Sequence, residues 1–220
     1  MTTKPPVQSG KVFIVDDDLS YLQATSRLLR AAGYSVQAFS SAQELLERLA
    51  PDLSGCVIAD MQMPGINGME LLAALKNNAN PLPVIFLTGE GDIPTSVTAM
   101  RSGAENFLTK LAPKETLLAA VNLALERDAR ERSERVRLRE LRERLDALSE
   151  RETQVLSHVV RGRMNKEIAA DLDINLRTVK LHRTNITRKL KVRSVAELTR
   201  FADEAGLFQT LKNDRVDRPA

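Results

Sequence analysis

An apolar run ends in a carboxylate and a turn in the stretch Val57-Ile58-Ala59-Asp60-Met61-Gln62-Met63-Pro64-Gly65. A second apolar run, Val12-Phe13-Ile14-Val15, ends in the acidic pair Asp16-Asp17. Short apolar runs that finish in turn residues are typical of buried strands in a parallel sheet. Because chemistry collects at the carboxyl ends of such strands, we expect these carboxylates to meet at one edge of the sheet.

The expected acidic cluster suits a divalent cation. Carboxylates that lie close together raise one another's pKa unless a cation joins them. Oxygen ligands with an open coordination sphere favour Mg²⁺, with Mn²⁺ as a substitute. A carboxylate beside such a metal can also act as a nucleophile and become an aspartyl-phosphate. The stretch around Asp60 therefore predicts a divalent-metal site with a carboxylate that could act as a nucleophile.

Two more apolar runs end in side chains that suit a phosphoryl group. Pro83-Val84-Ile85-Phe86-Leu87 is followed by Thr88, and Asn106-Phe107-Leu108-Thr109 is followed by Lys110. A hydroxyl can donate a hydrogen bond to one phosphoryl oxygen, and an ammonium supplies a counter-charge to another. We therefore expect Thr88 and Lys110 at the same edge of the sheet as the carboxylates.

Amphipathic segments alternate with the apolar runs from Lys11 to about Leu125. The pattern predicts helices at residues 19–32, 42–49, 68–77, 93–102 and from 114 onward. Such alternation indicates a doubly wound α/β fold around a parallel sheet. Asp18 fits a helix N-cap, and Gly33 and Gly103 fit C-terminal caps.

The order of the acidic, hydroxyl and ammonium side chains at four predicted strand ends resembles the receiver domain of bacterial two-component response regulators. The stretch Leu87-Thr88-Gly89-Glu90-Gly91-Asp92, together with the C-terminal part of the chain, resembles the FixJ/NarL class. The resemblance implies a flavodoxin-like, CheY-like sheet of five strands in the order 2-1-3-4-5. It places this receiver at residues 11–125, after a disordered tail at residues 1–10.

The resemblance also implies which residues bind the metal. Asp60 would be the phospho-acceptor. Asp17, Asp60 and the backbone carbonyl of Gln62 would hold Mg²⁺ (or Mn²⁺), and Asp16 would support it directly or through a water. The receiver would catalyse its own Mg²⁺-dependent phosphorylation and dephosphorylation, although the protein as a whole is not expected to be an enzyme.

Further implied roles concern the phosphoryl group and the switch. Lys110 and Thr88 would bind phosphoryl oxygens, and Thr88 and Phe107 would change position on phosphorylation. The chain departs from the family after Lys110, where proline is usual and Leu111 stands here. A cis bond before a residue other than proline costs ~3–4 kcal/mol, so we expect a trans bond before Leu111, with Lys110 still reaching the site.

Charge is distributed unevenly along the chain. Residues 1–122 contain 9 basic and 12 acidic side chains, whereas residues 123–220 contain 23 basic and 17 acidic ones. The balance is therefore −3 in the first part and +6 in the second. This asymmetry indicates that only the C-terminal part meets a polyanion.

Composition excludes several classes of protein. No apolar run approaches the ~18–20 residues that span a membrane, and the start of the chain lacks an apolar signal-peptide core. We therefore expect a cytoplasmic protein without membrane contact. The chain's one cysteine, Cys56, falls in a predicted strand and should be a buried structural thiol. The absence of Trp disfavours a stacking platform for single-stranded nucleic acid.

Residues 126–148 contain eight Arg and seven acidic residues, with no Gly or Pro. We interpret this segment as a stiff helical linker that continues from the last receiver helix. Leucines at a 3-4-3 spacing would form a seam of two heptads, which could pair with a second chain: Leu138, Leu141, Leu145 and Leu148. A flexible charged tether is the alternative interpretation.

An all-α helix-turn-helix domain is predicted at residues 149–210, followed by a tail at 211–220. Its helices are expected at about 150–160, 165–172, 176–190 and 194–205, with cap candidates Ser149, Asn165, Asn175 and Ser194. The short turn before residue 176 is typical of a helix-turn-helix pair. Three motifs in order resemble the LuxR/NarL-type DNA-binding domain over about 148–206: Leu148-Ser149-Glu150-Arg151-Glu152, Asn165-Lys166-Glu167-Ile168-Ala169 and Thr178-Val179-Lys180-Leu181-His182.

The helix predicted at residues 176–190 has two distinct faces. At 100° per residue one stripe is mainly apolar and should pack inward: Val179, His182, Ile186 and Leu190. His182 on this stripe is expected to be a packed, hydrogen-bonded core residue. The opposite stripe is mainly basic and suits the DNA major groove: Arg177, Lys180, Leu181, Thr184 and Arg188. By resemblance, the base-edge readers are Lys180, Leu181 and Thr184, and the phosphate contacts are Arg177, Arg183 and Arg188.

Together these features predict a two-component response regulator. A sensor histidine kinase would phosphorylate it, promoter DNA would be its double-stranded target, and phosphorylation would favour a homodimer. The resemblance favours activation of transcription, with RNA polymerase as a further candidate partner. Two alternatives stay open. The receiver could be an interaction module that needs no phosphorylation, or a Mg²⁺-dependent phosphotransfer enzyme whose DNA contacts are secondary.

Overall fold

The computed structural model describes residues 10–50, 53–77, 81–89 and 93–207. The chain divides into two compact units, Met1–Arg132 and Ser133–Ala220, called unit 1 and unit 2 below. Residues 1–9 of the predicted N-terminal tail and the predicted C-terminal tail at residues 211–220 lie outside the described residues. So do residues 208–210 of the predicted helix-turn-helix domain, and residues 90–92 of the stretch that follows Thr88.

Unit 1 alternates strands and helices along the chain. They are β1 (Lys11–Val15), α1 (Leu19–Ala31), β2 (Ser35–Phe39), α2 (Ala42–Glu47), β3 (Cys56–Asp60), α3 (Gly68–Lys76), β4 (Val84–Thr88), α4 (Ile93–Arg101), β5 (Asn106–Thr109) and the first part of α5 (Lys114–Asp146). The strands are parallel and lie in the order β2-β1-β3-β4-β5. The predicted fold class and strand order are confirmed.

Helices cover both faces of the sheet because each inner strand is apolar on both sides. All five residues of β3 and of β4 are buried. On one face, residues such as Phe13 and Phe86 pack in one cluster with Leu71 of α3. On the other, Ile14 packs in a second cluster that contains residues of α1 and α5. The sheet is thus held rigidly between two layers, and its strand ends become fixed points.

Most of the predicted helix caps are confirmed. The Asp18 side chain accepts hydrogen bonds from the backbone of the first turn of α1, and Gly33 and Gly103 have φ of 97° and 87°, as C-terminal capping requires. Asn165 was the wrong cap. Met164 occupies the N-cap position of α7, and its backbone N–H donates to the Glu167 side chain at 2.7 Å. The start of this helix is therefore capped by the Glu167 carboxylate and not by an asparagine side chain.

Unit 2 contains the end of α5 followed by α6 (Glu150–Val160), α7 (Asn165–Asp171), α8 (Leu176–Leu190) and α9 (Val195–Glu204). Side chains from all of these helices form one apolar cluster. Ser149, Asn175 and Ser194 are N-caps as predicted. The helix-turn-helix architecture is therefore confirmed.

The leucines predicted as a pairing seam pack inside unit 2 instead. Leu141 and Leu148 are buried in its apolar cluster, and Leu138 and Leu145 pack against it. An ion pair between Arg137 of α5 and Glu204 of α9, with a distance of 2.6 Å, also connects the end of α5 to the other helices of unit 2. The interpretation as a seam between two chains is thus corrected, because α6–α9 already supply an apolar surface for these side chains. α5 is a helix of 33 residues, and the interpretation of residues 126–148 as a stiff linker stays a prediction.

Two further expectations concern the composition. Among the residues that the structure describes, no helix has the length and apolar character needed to cross a bilayer. Cys56 is fully buried in β3, and burial raises the pKa of its thiol to about 12. The prediction that Cys56 is buried is confirmed.

Candidate phosphorylation site and DNA-binding helix

The register of the sheet brings the acidic residues together. Val15 of β1 stands opposite Ala59 of β3, so the next residues, Asp16 and Asp60, lie side by side at the strand ends. One ligand atom from each of Asp16, Asp17 and Asp60 lies within 4.8 Å of the others. Asp16 and Asp60 are buried, whereas Asp17 is exposed. This set of oxygen donors, open to solvent on one side, fits Mg²⁺ with bound waters.

Lys110 reaches the acidic cluster from the end of β5. Its ammonium lies 2.8 Å from Oδ2 of both Asp16 and Asp60, and its backbone N–H donates to the Thr88 carbonyl at 2.8 Å. The described residues contain no cis peptide bond, so the bond before Leu111 is trans. Both expectations for this turn are confirmed, and the replacement of proline leaves Lys110 at the site.

Burial and charge act against each other in this cluster. Burial raises the pKa of Asp16, and its hydrogen bonds with Lys110 and with the Asp18 backbone only partly offset this. Burial alone would lower the pKa of Lys110, but its hydrogen bonds and attraction to Asp16 and Asp60 raise it above the usual value. The ammonium is therefore held firmly protonated, as a counter-charge to phosphoryl oxygens requires.

Backbone geometry orients the central carboxylate. The Gln62 N–H donates to Asp60 Oδ1 at 3.3 Å, while Asp60 Oδ2 accepts from Lys110. Gly68 packs against this turn so closely that a Cβ there would lie 2.6 Å from the Asp60 carbonyl oxygen. The loop after β3 is thus drawn tightly around Asp60.

Thr88 and Phe107 lie on neighbouring strands near the cluster. Thr88 is buried at the end of β4, and it stands opposite Thr109, the residue before Lys110. Phe107 pairs in register with Phe86 and packs, partly buried, against the apolar cluster on that face of the sheet. Their roles in binding the phosphoryl group and in the switch stay predictions.

Tyr21 belongs to this site, although no sequence pattern indicated it. The Lys110 ammonium lies 4.7 Å from the centroid of the Tyr21 ring, within the range of a cation–π contact. In the sequence Tyr21 is one aromatic residue in the first turn of an amphipathic helix. The only available signal was its distance of four residues from Asp17, which places it near the strand end.

The basic stripe of α8 is exposed over its full length. All five predicted members, Arg177, Lys180, Leu181, Thr184 and Arg188, are exposed, while Val179, Ile186 and Leu190 are fully buried. His182 is only partly buried, and its Nδ1 has no hydrogen-bond partner among the described residues. The two-faced character of the helix is confirmed, but the expected hydrogen bonding of His182 is not found at that nitrogen.

Arg183 differs from the exposed members of the predicted DNA contacts. It is partly buried, and its guanidinium donates to the Asn165 side chain of α7 at 2.9 Å. This contact fixes Arg183 between the two helices of the helix-turn-helix. It leaves further guanidinium donors that could meet a phosphate.

Lys189 connects α8 to the beginning of the domain, and sequence reasoning missed it. Its ammonium lies 2.6 Å from the buried carboxylate of Glu152 and 3.0 Å from the Ala147 carbonyl oxygen. Burial would raise the pKa of Glu152, but hydrogen bonds from Lys189 and from the Ser149 backbone lower it below the usual value. The pair therefore anchors the C-terminal end of α8 to the N-terminus of α6.

Family models match both units. Residues 12–122 match the response regulator receiver domain, and residues 146–202 match the bacterial regulatory proteins of the luxR family. The chain belongs to the FixJ/NarL family of response regulators. This response regulator is thus a regulator of transcription with a LuxR-type DNA-binding domain.

Relatives of this response regulator are similar along nearly their whole length. The response regulator protein TodT of Pseudomonas putida is 43% identical over 89% of this chain and 86% of its own. The transcriptional regulatory protein FixJ of Bradyrhizobium diazoefficiens is 38% identical over 94% of this chain and 99% of its own. The solved structure of the response regulator StyR is 41% identical, with a TM-score of 0.81 over 89% of this chain and 99% of that one.

Proposed function

We propose that a sensor histidine kinase phosphorylates this regulator on Asp60, and that phosphorylation controls its binding to promoter DNA in the cytoplasm. The observation that carries the proposal is the cluster at the strand ends. Three carboxylates lie within reach of one cation, and the ammonium of Lys110 contacts two of them. Such an arrangement suits the transfer of a phosphoryl group to a carboxylate.

The transfer requires few chemical steps from the protein. An Asp60 oxygen attacks phosphorus, the P–N bond of a donor phosphohistidine breaks, and the proton needed by the leaving imidazole comes from solvent or from the kinase. Lys110 then donates to a phosphoryl oxygen instead of the Asp60 carboxylate. The Thr88 hydroxyl is proposed as the donor to another phosphoryl oxygen.

Mg²⁺ (or Mn²⁺) is the proposed cofactor of this site. Asp17, Asp60 and the backbone carbonyl of Gln62 would hold it, with Asp16 as a direct or water-mediated ligand. When bound, the ion neutralises charge on the phosphoryl oxygens and on the carboxylates. The same set of residues would support the receiver's own phosphorylation and dephosphorylation.

The proposed switch links the phosphoryl group to a surface of unit 1. Thr88 moves toward the phosphoryl group, and Phe107 follows into the space beside it. Both residues border the face made by α4, β5 and α5, where Ile93, Val97 and Met100 of α4 are exposed apolar side chains. Two receivers would pair through this face, because burying these side chains is favourable.

Pairing would bring two DNA-binding domains to spaced half-sites. Lys180, Leu181 and Thr184 are proposed to read base edges in the major groove, and Arg177, Arg183 and Arg188 to contact phosphates. Transcription would be activated, with RNA polymerase as a further partner. The phosphorylation-independent alternative receives less support, because Lys110 keeps its contacts with Asp16 and Asp60 despite Leu111.

Light scattering tests the central step. Molar mass is measured with Mg²⁺ before and after beryllium fluoride or acetyl phosphate is added, for the wild type and for Asp60→Asn. We expect a shift from monomer to dimer in the wild type alone, together with tighter binding to promoter DNA. An Asp60→Asn variant that dimerised and bound DNA as tightly as the phosphorylated wild type would refute the proposal.

A further inference from the structure

Tyr21 is fixed in place from two sides. Its backbone N–H donates to the Asp18 side chain at 3.1 Å, within the cap of α1. Its ring packs against the apolar cluster formed by α1, α5 and the sheet. The aromatic face that meets Lys110 is therefore held by the fold and does not depend on the chemistry of the acidic cluster.

The backbone after Lys110 offers its side chain little support. Leu111 is 91% exposed, so it packs against almost nothing. The turn from Thr109 to Ala112 is closed by a hydrogen bond from the Ala112 N–H to the Thr109 carbonyl, and the Lys110 N–H donates to the Thr88 carbonyl. These bonds hold the Lys110 backbone, whereas the groups that contact its ammonium are Asp16, Asp60 and the ring of Tyr21.

Two of those three groups change their bonding during the proposed reaction. Asp60 becomes an acyl phosphate, in which the negative charge lies on the phosphoryl oxygens and not on the former carboxylate, and Asp16 would bind the metal directly or through a water. The ring of Tyr21 is neutral and takes part in neither event. It is therefore the contact that can hold the ammonium at the same point before and after transfer.

We propose that Tyr21 is a positioning residue for Lys110, whose ammonium it holds over the acidic cluster through the face of its ring. This proposal rests on the proposed phosphorylation of Asp60. The ring binds a cation only while it is aromatic. Phenylalanine at this position should therefore keep the contact with the ammonium, whereas leucine, of similar bulk, should lose it.

The test compares Tyr21→Phe and Tyr21→Leu in the full chain. Phosphorylation by acetyl phosphate with Mg²⁺ is followed by intact mass, which removes any role of Tyr21 in contacting a kinase. We expect Tyr21→Phe to keep the wild-type rate within about twofold and Tyr21→Leu to slow it by roughly 3- to 30-fold, the range for loss of one cation–π contact. Equal rates for the two variants would overturn the proposal.

A double-mutant cycle separates positioning from a general structural effect. In a Lys110→Met background the ammonium is gone, so Tyr21→Leu should slow phosphorylation no further. The same loss in both backgrounds would mean that Tyr21 acts without Lys110, and the proposal would be wrong. Thermal unfolding of every variant checks that the rates are compared between folded proteins.

The fluorescence of Tyr21 gives a second measurement that does not need the leucine variant. The chain has no Trp and two Tyr residues, so Tyr34→Phe leaves Tyr21 as the single emitter. We expect Lys110→Met to change this emission, because the ammonium no longer lies over the ring, and beryllium fluoride with Mg²⁺ to leave the emission of the Tyr34→Phe protein largely unchanged. A Lys110→Met substitution that left the emission unchanged would overturn the proposal.

The experiments distinguish failure of the proposed function from failure of the proposed role of Tyr21. If the folded wild type takes no phosphoryl group from acetyl phosphate, then the proposed function fails and Tyr21 has no reaction to support. If the wild type is phosphorylated and Tyr21→Leu matches it, only the role of Tyr21 fails.

Discussion

The two functional regions of this regulator are built in opposite ways. The proposed phosphorylation site collects side chains from the ends of β1, β3, β4 and β5, and its Asp16 is only 2% exposed. The basic stripe lies on α8 alone, with its members in solvent. A substitution in the first region should therefore alter folding and chemistry together, whereas one in the second should alter binding and leave the fold intact.

Lys110→Met should give a large loss of stability. It leaves the buried Asp16 and Asp60 without their shared counter-charge, and removal of one partner from a buried pair costs about 3 kcal/mol or more. We expect the free energy of unfolding, measured by urea denaturation without metal, to fall by this amount. Added Mg²⁺ should restore part of it by replacing the lost charge.

Lys114→Met is the matched control for that variant, because the Lys114 side chain is 66% exposed. Its unfolding free energy should stay close to that of the wild type. Equal effects of the two substitutions would show that the acidic cluster does not depend on Lys110 for its stability, and would weaken the contrast between the two regions.

Leu141→Ala tests whether the end of α5 belongs to unit 2. Leu141 is 8% exposed within the apolar cluster of that unit, and truncation of a buried leucine costs about 2–5 kcal/mol. Leu123→Ala on the same helix is the control, since Leu123 is 56% exposed. Thermal unfolding should show the loss in Leu141→Ala at every protein concentration; a loss that grew on dilution would favour pairing between chains.

Lys180→Ala should weaken specific DNA binding without loss of stability. One good base-edge contact accounts for about 1–3 kcal/mol of discrimination, so affinity for the promoter should fall by roughly 5- to 150-fold. Binding to unrelated DNA should change much less, as fluorescence anisotropy at fixed salt would show. Lys114→Ala removes an equal charge from unit 1, and an identical effect there would mean that Lys180 contributes only general attraction.

Glu152→Gln provides the smallest effect, and it depends on pH. Because the folded-state pKa of Glu152 is lowered, the carboxylate stabilises unit 2 above its usual pKa of 4.5, and that stability is lost as pH falls through the lower folded value. We expect Glu152→Gln to be about 1 kcal/mol less stable than wild type near pH 7. The gap should close below pH 4.5, whereas exposed Glu150→Gln should show no such trend.

The strand-end residues could be predicted because their positions follow from rules of the sheet. An apolar run marks a buried strand, and parallel strands bring their carboxyl ends together, so the places of Asp16, Asp60, Thr88 and Lys110 needed no knowledge of side-chain contacts. β2 has no such signal. It lies at the sheet edge with three exposed residues and one buried residue, Phe39, so only the resemblance to the family predicted this strand.

Contacts between distant residues could not be predicted in this way. Tyr21, Lys189 and Asn165 each act through a partner far along the chain, and none differs in spacing from an ordinary surface or core residue. The leucines at the end of α5 show the same limit. Their 3-4-3 spacing predicts an apolar stripe on a helix, but it does not say whether a second chain or the same chain covers that stripe.

The placement of Leu141 and Leu148 bears on how this regulator could be recombined with others. A chimera joined at residue 148 would separate the DNA-binding helices from Leu141 and from Arg137, the partner of Glu204. The foreign helix would then have to supply apolar side chains in the same phase. A junction near Arg132, the last residue of unit 1, transfers α6–α9 with the part of α5 that completes their core. The exchangeable output module of this protein is therefore longer than its helix-turn-helix.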